Sequence, residues 1–146
     1  MSAIMESERN CDDENYCAAF GEHSAISQNC IERINRIKNN DPALTAFHLS
    51  PNDAEQFTDL AWELMGGYIA NNVHLNYLDL CGLHLTDSKM AILFKNWTRS
   101  ESLKELDLSY NNFGIDGVRS MVPFLKNARN LSKLKLEHNR NISTPC

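Results

Sequence analysis

A leucine pattern that returns every 28 residues is the strongest constraint on how this chain of 146 residues folds. The pattern reads Leu-x-x-Leu-x-Leu, and its copies begin at Leu75, Leu103 and Leu131. A less regular copy begins 31 residues earlier, at Leu44, with Phe47 at the second leucine position. Repetition at this period predicts stacked structural units, a solenoid, in place of a closed globule. Function is therefore expected on a surface that the stacked strands display.

Two segments precede the repeats, which occupy residues 44–146 as about three full copies and a truncated fourth. Residues 1–22 carry six acids against Arg9, which predicts an acidic mobile arm. Residues 23–43 predict an N-terminal capping helix that covers the open end of the stacked core. Ser24 or Ser27 can cap that helix, and Pro42 ends it. Its apolar positions recur at helical spacing and are Ile26, Cys30, Ile34 and Ile37.

Each strand of the repeats is followed by a loop and a helix. Four apolar positions match between the second and third copies, which predicts one buried helix face in each. These positions are Met90, Leu93, Phe94 and Trp97 in one copy, and Val118, Met121, Val122 and Leu125 in the next. Pro123 lies inside the third helix and predicts a kink or a short first turn. In the first copy, Asp53 is expected to cap one longer helix, in which Gly66 and Gly67 are interpreted as tolerated, with a functional hinge as the alternative.

The repeats resemble a known family. Asn111 and Asn139 complete the motif Leu-x-x-Leu-x-Leu-x-x-Asn, which is the leucine-rich repeat signature, and the 28-residue period resembles the ribonuclease-inhibitor-like subfamily. The resemblance covers about residues 44–142. It implies an α/β fold: a short right-handed leucine-rich-repeat solenoid, with parallel strands on the concave face, helices on the convex face, and Asn side chains bonding neighbouring turns. Leu83 stands at the Asn position of the second copy, so the Asn ladder is expected to be lost or replaced there.

The family resemblance does not determine an activity, because the subfamily includes inhibitors, innate sensors, actin-capping proteins and the Ran GTPase-activating protein. A second, shorter resemblance involves the helix that ends at Asn39-Asn40-Asp41-Pro42, which is similar to the start of the tropomodulin repeat domain.

The candidate binding surface follows from strand geometry. Side chains alternate between the two faces of a strand, so the residues between the leucines are expected on the concave face. The candidate protein-binding residues are His48, Tyr77, Asp79, Glu105, Asp107, Lys133 and Lys135. Neighbouring strands should place Lys133 against Glu105 and Lys135 against Asp107, which leaves Asp79 beside Asp107 for a cationic partner side chain. The alternative is a solvated polar face without a partner.

Charge and composition argue against several classes of function. From His23 onward, 13 acids balance 13 bases, so the body lacks the basic stripe of a nucleic-acid-binding protein. The longest apolar run, Met90 to Phe94, is too short to span a membrane. Five cysteines, an odd number, and the lack of an apolar segment near Met1 predict a cytoplasmic protein.

Catalytic and metal motifs are absent from the sequence. It contains no Gly-rich phosphate loop, nucleophile elbow or His-Glu-x-x-His pattern, and no cofactor is expected. The gaps between Cys11, Cys17, His23 and Cys30 are too long for a zinc site, so no metal is expected either. His48 and Asp79 resemble an acid-base pair but lack a nucleophile or an enclosing pocket.

The sequence therefore predicts a non-catalytic protein-protein interaction module that binds an unidentified protein partner on the concave strand face. One alternative is a GTPase-activating protein of the Ran-directed type, although Arg119 and Arg129 are not distinctively placed for that role. The other is a truncated structural fragment of a longer repeat protein, with self-association through its uncapped C-terminal repeat.

Overall fold

A computed structural model describes residues 13–139 of the chain. Four strands of three residues each form one parallel sheet, and their order in space is their order in the sequence. The strands are β1 (Ala46–His48), β2 (Tyr77–Asp79), β3 (Glu105–Asp107) and β4 (Lys133–Lys135). Their central residues pair across the sheet in the series Phe47, Leu78, Leu106 and Leu134. The strand positions and the register expected from the 28-residue period are therefore confirmed.

Seven helices lie in the described part of the chain. They are α1 (Glu14–Phe20), α2 (Gln28–Lys38), α3 (Pro51–Ala54), α4 (Asp59–Asn71), α5 (Asp87–Leu93), α6 (Ile115–Ser120) and α7 (Val122–Asn127). None of these helices has the length and apolar composition needed to cross a membrane.

The helices pack on one face of the sheet, where the central strand residues are buried. Phe47, Leu78 and Leu106 are 2% exposed or less and belong to one core with the helix side chains. The corresponding Leu134 of the edge strand is only half-buried. Burial of the leucines thus accounts for the orientation of each strand, since a shift of one residue would turn every leucine to the other face.

The N-terminal acidic segment differs from its prediction. Charge predicts a mobile arm over residues 1–22, but Glu14–Phe20 forms α1, in which Tyr16 and Phe20 are buried. The Asp13 carboxylate accepts hydrogen bonds at the start of this helix, and the Phe20 ring lies 5.7 Å from the Phe57 ring in an edge-on contact. Burial of these two rings outweighs the acidic composition of the segment. Residues 1–12 and 140–146, including Cys11 and the end of the fourth repeat, lie outside the described residues.

The helix α2 forms within the segment predicted to be helical. Its N-cap is Ser27, whose hydroxyl accepts a hydrogen bond from the Cys30 amide at 3.2 Å. The apolar positions expected on its inner face, including Cys30 and Ile34, are buried. Burial, followed by the charge of Asp53, raises the pKa of the Cys30 thiol to about 12. The role of α2 as a cap for the stacked core stays a prediction.

The single long helix expected in the first repeat is in fact two helices. Ser50 caps α3, and Thr58 caps α4 after a short break. Asp53 does not cap a helix of its own repeat. Its carboxylate accepts hydrogen bonds from the Ser27 amide at 2.8 Å and from the Ser27 hydroxyl at 3.0 Å, which ties the start of α2 to α3.

The helix of the third repeat is interrupted at Met121, two residues before Pro123, which agrees with the kink that the proline predicts. The α6 helix ends at Ser120, and Pro123 lies in the first turn of α7, where its missing amide hydrogen leaves no intrahelical hydrogen bond unmade. The break changes which residues face inward. Phe124 is fully buried, whereas Val122 and Leu125 are exposed, so half of the buried face predicted for this helix is wrong.

The Asn111 side chain joins two neighbouring rungs of the fold. Its Oδ1 accepts hydrogen bonds from the amides of Leu83 and Leu85, at 2.9 and 3.0 Å. Its Nδ2 donates to the carbonyls of Leu80 at 2.9 Å and Leu108 at 3.0 Å. Leu83 has no polar side chain with which to make such bonds. Asn111 therefore supplies hydrogen-bond partners to the backbone of the second repeat, in which Leu83 lies, as well as to that of its own repeat.

We expect Asn111→Ala to lower the free energy of unfolding by about 2 kcal/mol or more. The substitution leaves buried amides and carbonyls without partners, and each such group costs about 1 to 3 kcal/mol. Chemical denaturation should show this loss, and Asn96→Ala at an exposed position serves as the control. Equal midpoints and slopes for the two variants would contradict the role of Asn111.

The neighbouring glycines of α4 have different surroundings. A Cβ atom on Gly66 would lie 2.0 Å from the Leu93 carbonyl oxygen, so this glycine permits the close approach of α4 to α5. A Cβ atom on Gly67 would meet its nearest neighbour, the Asn96 Cβ, at 3.7 Å. Only Gly66 is therefore required by packing, which corrects the interpretation that both are merely tolerated.

We expect opposite effects from alanine at these two positions. Gly66→Ala should lower the free energy of unfolding by about 1 to 3 kcal/mol because α4 and α5 must separate. Gly67→Ala should raise it by about 0.5 to 1 kcal/mol because alanine favours a helix interior. Thermal and denaturant unfolding of the pair measures both effects. Destabilisation of equal size in both variants would show that the contact with Leu93 is not the cause.

Candidate protein-binding surface

The face of the sheet opposite the helices carries the first and third residues of each strand. We call this surface the polar sheet face. Its residues form two rows across the strands: Ala46, Tyr77, Glu105 and Lys133 in the first, and His48, Asp79, Asp107 and Lys135 in the second. All seven candidate binding residues lie on this face, in the rows that strand alternation predicts. Their role in binding stays a prediction.

Exposure varies along the polar sheet face. The side chains of His48, Lys135 and Glu105 are 56%, 32% and 28% exposed, and Tyr77 is half-buried. Asp107 is only 9% exposed, so its prediction as a solvent-facing residue is wrong. The backbone amide of Ser109 donates to the Asp107 carboxylate at 2.9 Å, and the Ser109 hydroxyl donates to the same oxygen. These bonds hold the carboxylate against the end of its strand and compensate its burial.

Two contacts between polar side chains cross the strands. His48 Nδ1 lies 2.9 Å from Asp79 Oδ2, and Lys135 Nζ lies 3.7 Å from Glu105 Oε2. Lys135 pairs in register with Asp107, but its side chain reaches diagonally to Glu105. The expected contact between Lys135 and Asp107 is therefore replaced by a contact between Lys135 and Glu105. The expected contact of Lys133 with Glu105 is not formed in the described part of the chain. Exposed pairs contribute about 0.2 to 1 kcal/mol each, so stability does not explain this arrangement of charges.

Potential metal ligands meet at the carboxyl ends of β2 and β3. One ligand atom each from Asp79, Cys81 and Asp107 lies within 4.8 Å of the others. Each carboxylate already accepts a hydrogen bond from the amide two residues later, Cys81 in one strand and Ser109 in the next, at 2.9 Å. Such bonds are the usual turn chemistry of aspartate. The cluster is thus explained by the turns that end these strands.

A shallow polar cavity of about 180 Å³ is lined by Thr98, Arg99, Glu101, Asn127 and Arg129. It lies on the segments that lead from a helix to the next strand, away from the strand residues of the polar sheet face. Within it, Arg99 Nη2 donates to Asn71 Oδ1 at 2.6 Å.

The two arginines of the GTPase hypothesis are Arg119 and Arg129, and Arg129 lines this cavity. Arg119 lies on α6, with its guanidinium 2.9 Å from the Asp116 carboxylate. Neither candidate arginine of the GTPase hypothesis therefore belongs to the polar sheet face.

The sequence pattern alone does not reveal an aromatic pair that lies three residues beyond the ends of β3 and β4, at equivalent positions of the two repeats. The Tyr110 and His138 rings stack with centroids 4.3 Å apart and planes inclined by 18°. The signal in the sequence is the aromatic residue at the repeat position where the preceding copy has Gly82.

Tyr77 reports the charge of the polar sheet face. Partial burial, followed by the negative charges of Asp79, Asp107 and Glu105, raises the pKa of the Tyr77 phenol above its usual value. Carboxylates therefore dominate the potential at the centre of this face, despite the lysines of β4.

We expect Asp79→Asn to lower the pKa of the Tyr77 phenol toward its ordinary value, because the substitution removes a nearby negative charge. An alkaline titration that follows the Tyr77 ring resonances by NMR measures the effect. Asp116→Asn, on the exposed surface of α6, should leave the Tyr77 pKa unchanged. A Tyr77 pKa that is the same in both variants would contradict the electrostatic assignment.

Comparisons with known proteins support the fold. No family model and no curated protein matches the chain. Among solved structures, it is similar to one described as leiomodin-1 actin-binding site 2, with a TM-score of 0.68 and 20% identity over 83% of this chain and 68% of the other. It is also similar to the tropomodulin C-terminal domain of Caenorhabditis elegans, with a TM-score of 0.62 and 16% identity over 80% and 70%.

The ribonuclease-inhibitor-like subfamily receives no support from these neighbours. The four-stranded parallel sheet with its helices is instead a leucine-rich-repeat type of α/β fold similar to the leiomodin and tropomodulin domains.

Proposed function

We propose that the chain is a non-catalytic protein-binding module whose polar sheet face binds actin. The observation that carries the proposal is the open polar sheet face itself, where charged side chains surround the half-buried Tyr77 ring. The choice of actin rests on the leiomodin neighbour, which is described as an actin-binding site. The finer architecture belongs to the same proposal: a short right-handed solenoid with the polar sheet face on its concave side, in a cytoplasmic protein.

The chemistry of the polar sheet face suits a protein partner. A partly buried tyrosine supplies rigid contact area, and tyrosine is enriched among residues that contribute most to binding. Glu105 pairs with Tyr77 across the strands, and Asp79 follows Tyr77 on the same strand, so a basic side chain of the partner would reduce the repulsion between these two carboxylates. Lys133 and Lys135 at the edge favour acidic groups there and would fix the orientation of the partner.

Binding is proposed in preference to catalysis because of where the polar residues lie. His48 and Asp79 form a hydrogen-bonded pair, but His48 is more than half exposed on an open sheet surface. Catalytic groups generally lie in enclosed pockets that exclude water, and His48 does not. No observation favours the GTPase-activating alternative, since the Arg119 side chain is paired with Asp116 on the helical side.

Self-association through β4 is not part of the proposal. Two copies paired edge to edge about a twofold axis would bring the lysines of one β4 strand against those of the other. Lysines on an edge strand oppose such pairing. Charge therefore favours a different protein as the partner over a second copy of this chain.

We expect Glu105→Lys to weaken binding to actin about tenfold or more, a loss of about 1.4 kcal/mol. The substitution reverses the charge at the centre of the polar sheet face and removes the partner of Lys135. Glu32→Lys, exposed on α2, changes net charge equally and is the matched control. Fluorescence anisotropy with actin monomers and co-sedimentation with actin filaments measure the two affinities.

The proposal fails if the wild-type chain binds neither form of actin, or if both variants bind as tightly as the wild type. Thermal unfolding of each variant confirms that the fold is retained.

A further inference from the structure

Three consecutive repeats place a residue with positive φ at the same position, just beyond the strand. These residues are Gly82, Tyr110 and His138, with φ values of 71°, 56° and 60°. Glycine adopts this left-handed conformation without cost, whereas a bulky side chain there is strained. The chain thus accepts backbone strain at Tyr110 where another repeat avoids it with glycine. Folding alone does not require an aromatic ring at this position.

The Tyr110 ring is also not part of the core. Its residue is 58% exposed, and its ring stacks on His138 at 4.3 Å. On the side of the preceding repeat, a Cβ atom on Gly82 would meet nothing within 4 Å. The two rings therefore form an exposed stack, and the outer face of the Tyr110 ring is open toward Gly82. We call Tyr110 and His138 the aromatic shelf.

The aromatic shelf adjoins negative charge. The Tyr110 amide donates to the Glu137 carbonyl at 3.0 Å, which brings the exposed Glu137 beside the shelf. Asp107 and Ser109 connect the shelf to the acidic centre of the polar sheet face, because they lead from β3 directly to Tyr110. A cation approaching the shelf thus meets a π-face together with carboxylates on neighbouring segments.

We propose that the aromatic shelf binds an arginine side chain of a protein partner. The planar guanidinium stacks on the face of the Tyr110 ring that is open toward Gly82, and the carboxylates of the neighbouring segments attract its charge. Arginine fits better than lysine because its flat, weakly hydrated charge stacks on an aromatic face and its fork matches a carboxylate. This inference rests on the proposed function, because the arginine would belong to the partner that binds the polar sheet face and would contact the shelf beyond the ends of β3 and β4.

The test separates the ring from the backbone. Tyr110→Gly removes the ring and relieves the positive φ, so it should leave the unfolding temperature unchanged or raise it. His84→Gly is the matched control, because His84 is exposed, has a φ of 58° and is not part of the shelf. Tyr110→Asn is a second variant, since asparagine tolerates the same conformation.

The probe is N-acetylarginine amide, titrated into each full-length protein and followed by NMR. Ring-current shifts of the arginine side-chain protons and changes in the Tyr110 ring resonances are expected with the wild type. The proton shifts should persist in His84→Gly and be lost in Tyr110→Gly and Tyr110→Asn. Equal arginine shifts in the wild type and the Tyr110 variants would overturn the inference.

Actin binding distinguishes this inference from the proposed function. Weaker actin binding in Glu105→Lys, with unchanged actin and arginine binding in Tyr110→Gly, overturns the shelf and leaves the function standing. Arginine binding that depends on Tyr110, in a chain that does not bind actin, supports the shelf and overturns actin as the partner.

Discussion

The in-register pairing of four very short parallel strands is the constraint on which the rest of the structure depends. Each strand has only three residues, so its central side chain is the one that enters the core. A slip of one residue would exchange the buried central side chains for the outward-facing rows on every rung. The buried Asn111 side chain opposes such a slip, because it bonds backbone groups of both β2 and β3 rungs. The Asp87 carboxylate makes a similar link, accepting from the Gly114 amide at 2.7 Å.

The same register creates the polar sheet face. Side chains that are 28 residues apart in sequence become neighbours in a row, which brings Tyr77 beside Glu105 and sets Lys135 near Glu105. These charges add little to stability at the surface. They do give the face an acidic centre and a basic edge, which is the kind of pattern that selects and orients a partner. Core and binding surface are thus two consequences of one periodicity.

The strands and the rows of the polar sheet face could be predicted because a leucine period specifies both position and direction. Other features depend on contacts that a period does not encode. The six acids near the N terminus predict a mobile segment, whereas burial of the Tyr16 and Phe20 rings holds α1 against the core. Asp107 is buried because of hydrogen bonds from Ser109, which depend on the local turn. The role of Gly66 depends on the distance to a carbonyl of another helix.

Backbone conformation set the other limit on prediction. Pro123 predicts an interruption of the helix, but the interruption turns Phe124 inward in place of Leu125, since the helical periodicity restarts after Met121. The positive φ of Tyr110 could be suspected only by comparison with Gly82 in the preceding repeat. In both cases, a position where one copy differs from the next marks a change in the backbone that the leucine pattern does not predict.

The most direct measurement is an NMR map of the backbone amides that change when unlabelled actin monomer is added to the isotope-labelled chain. Changes are expected to concentrate in residues 77–81, 105–110 and 133–138, which carry the polar sheet face and the aromatic shelf. Changes confined to the helical side, for example to α5 and α6, would contradict binding through this face, as would a spectrum that actin leaves unaltered.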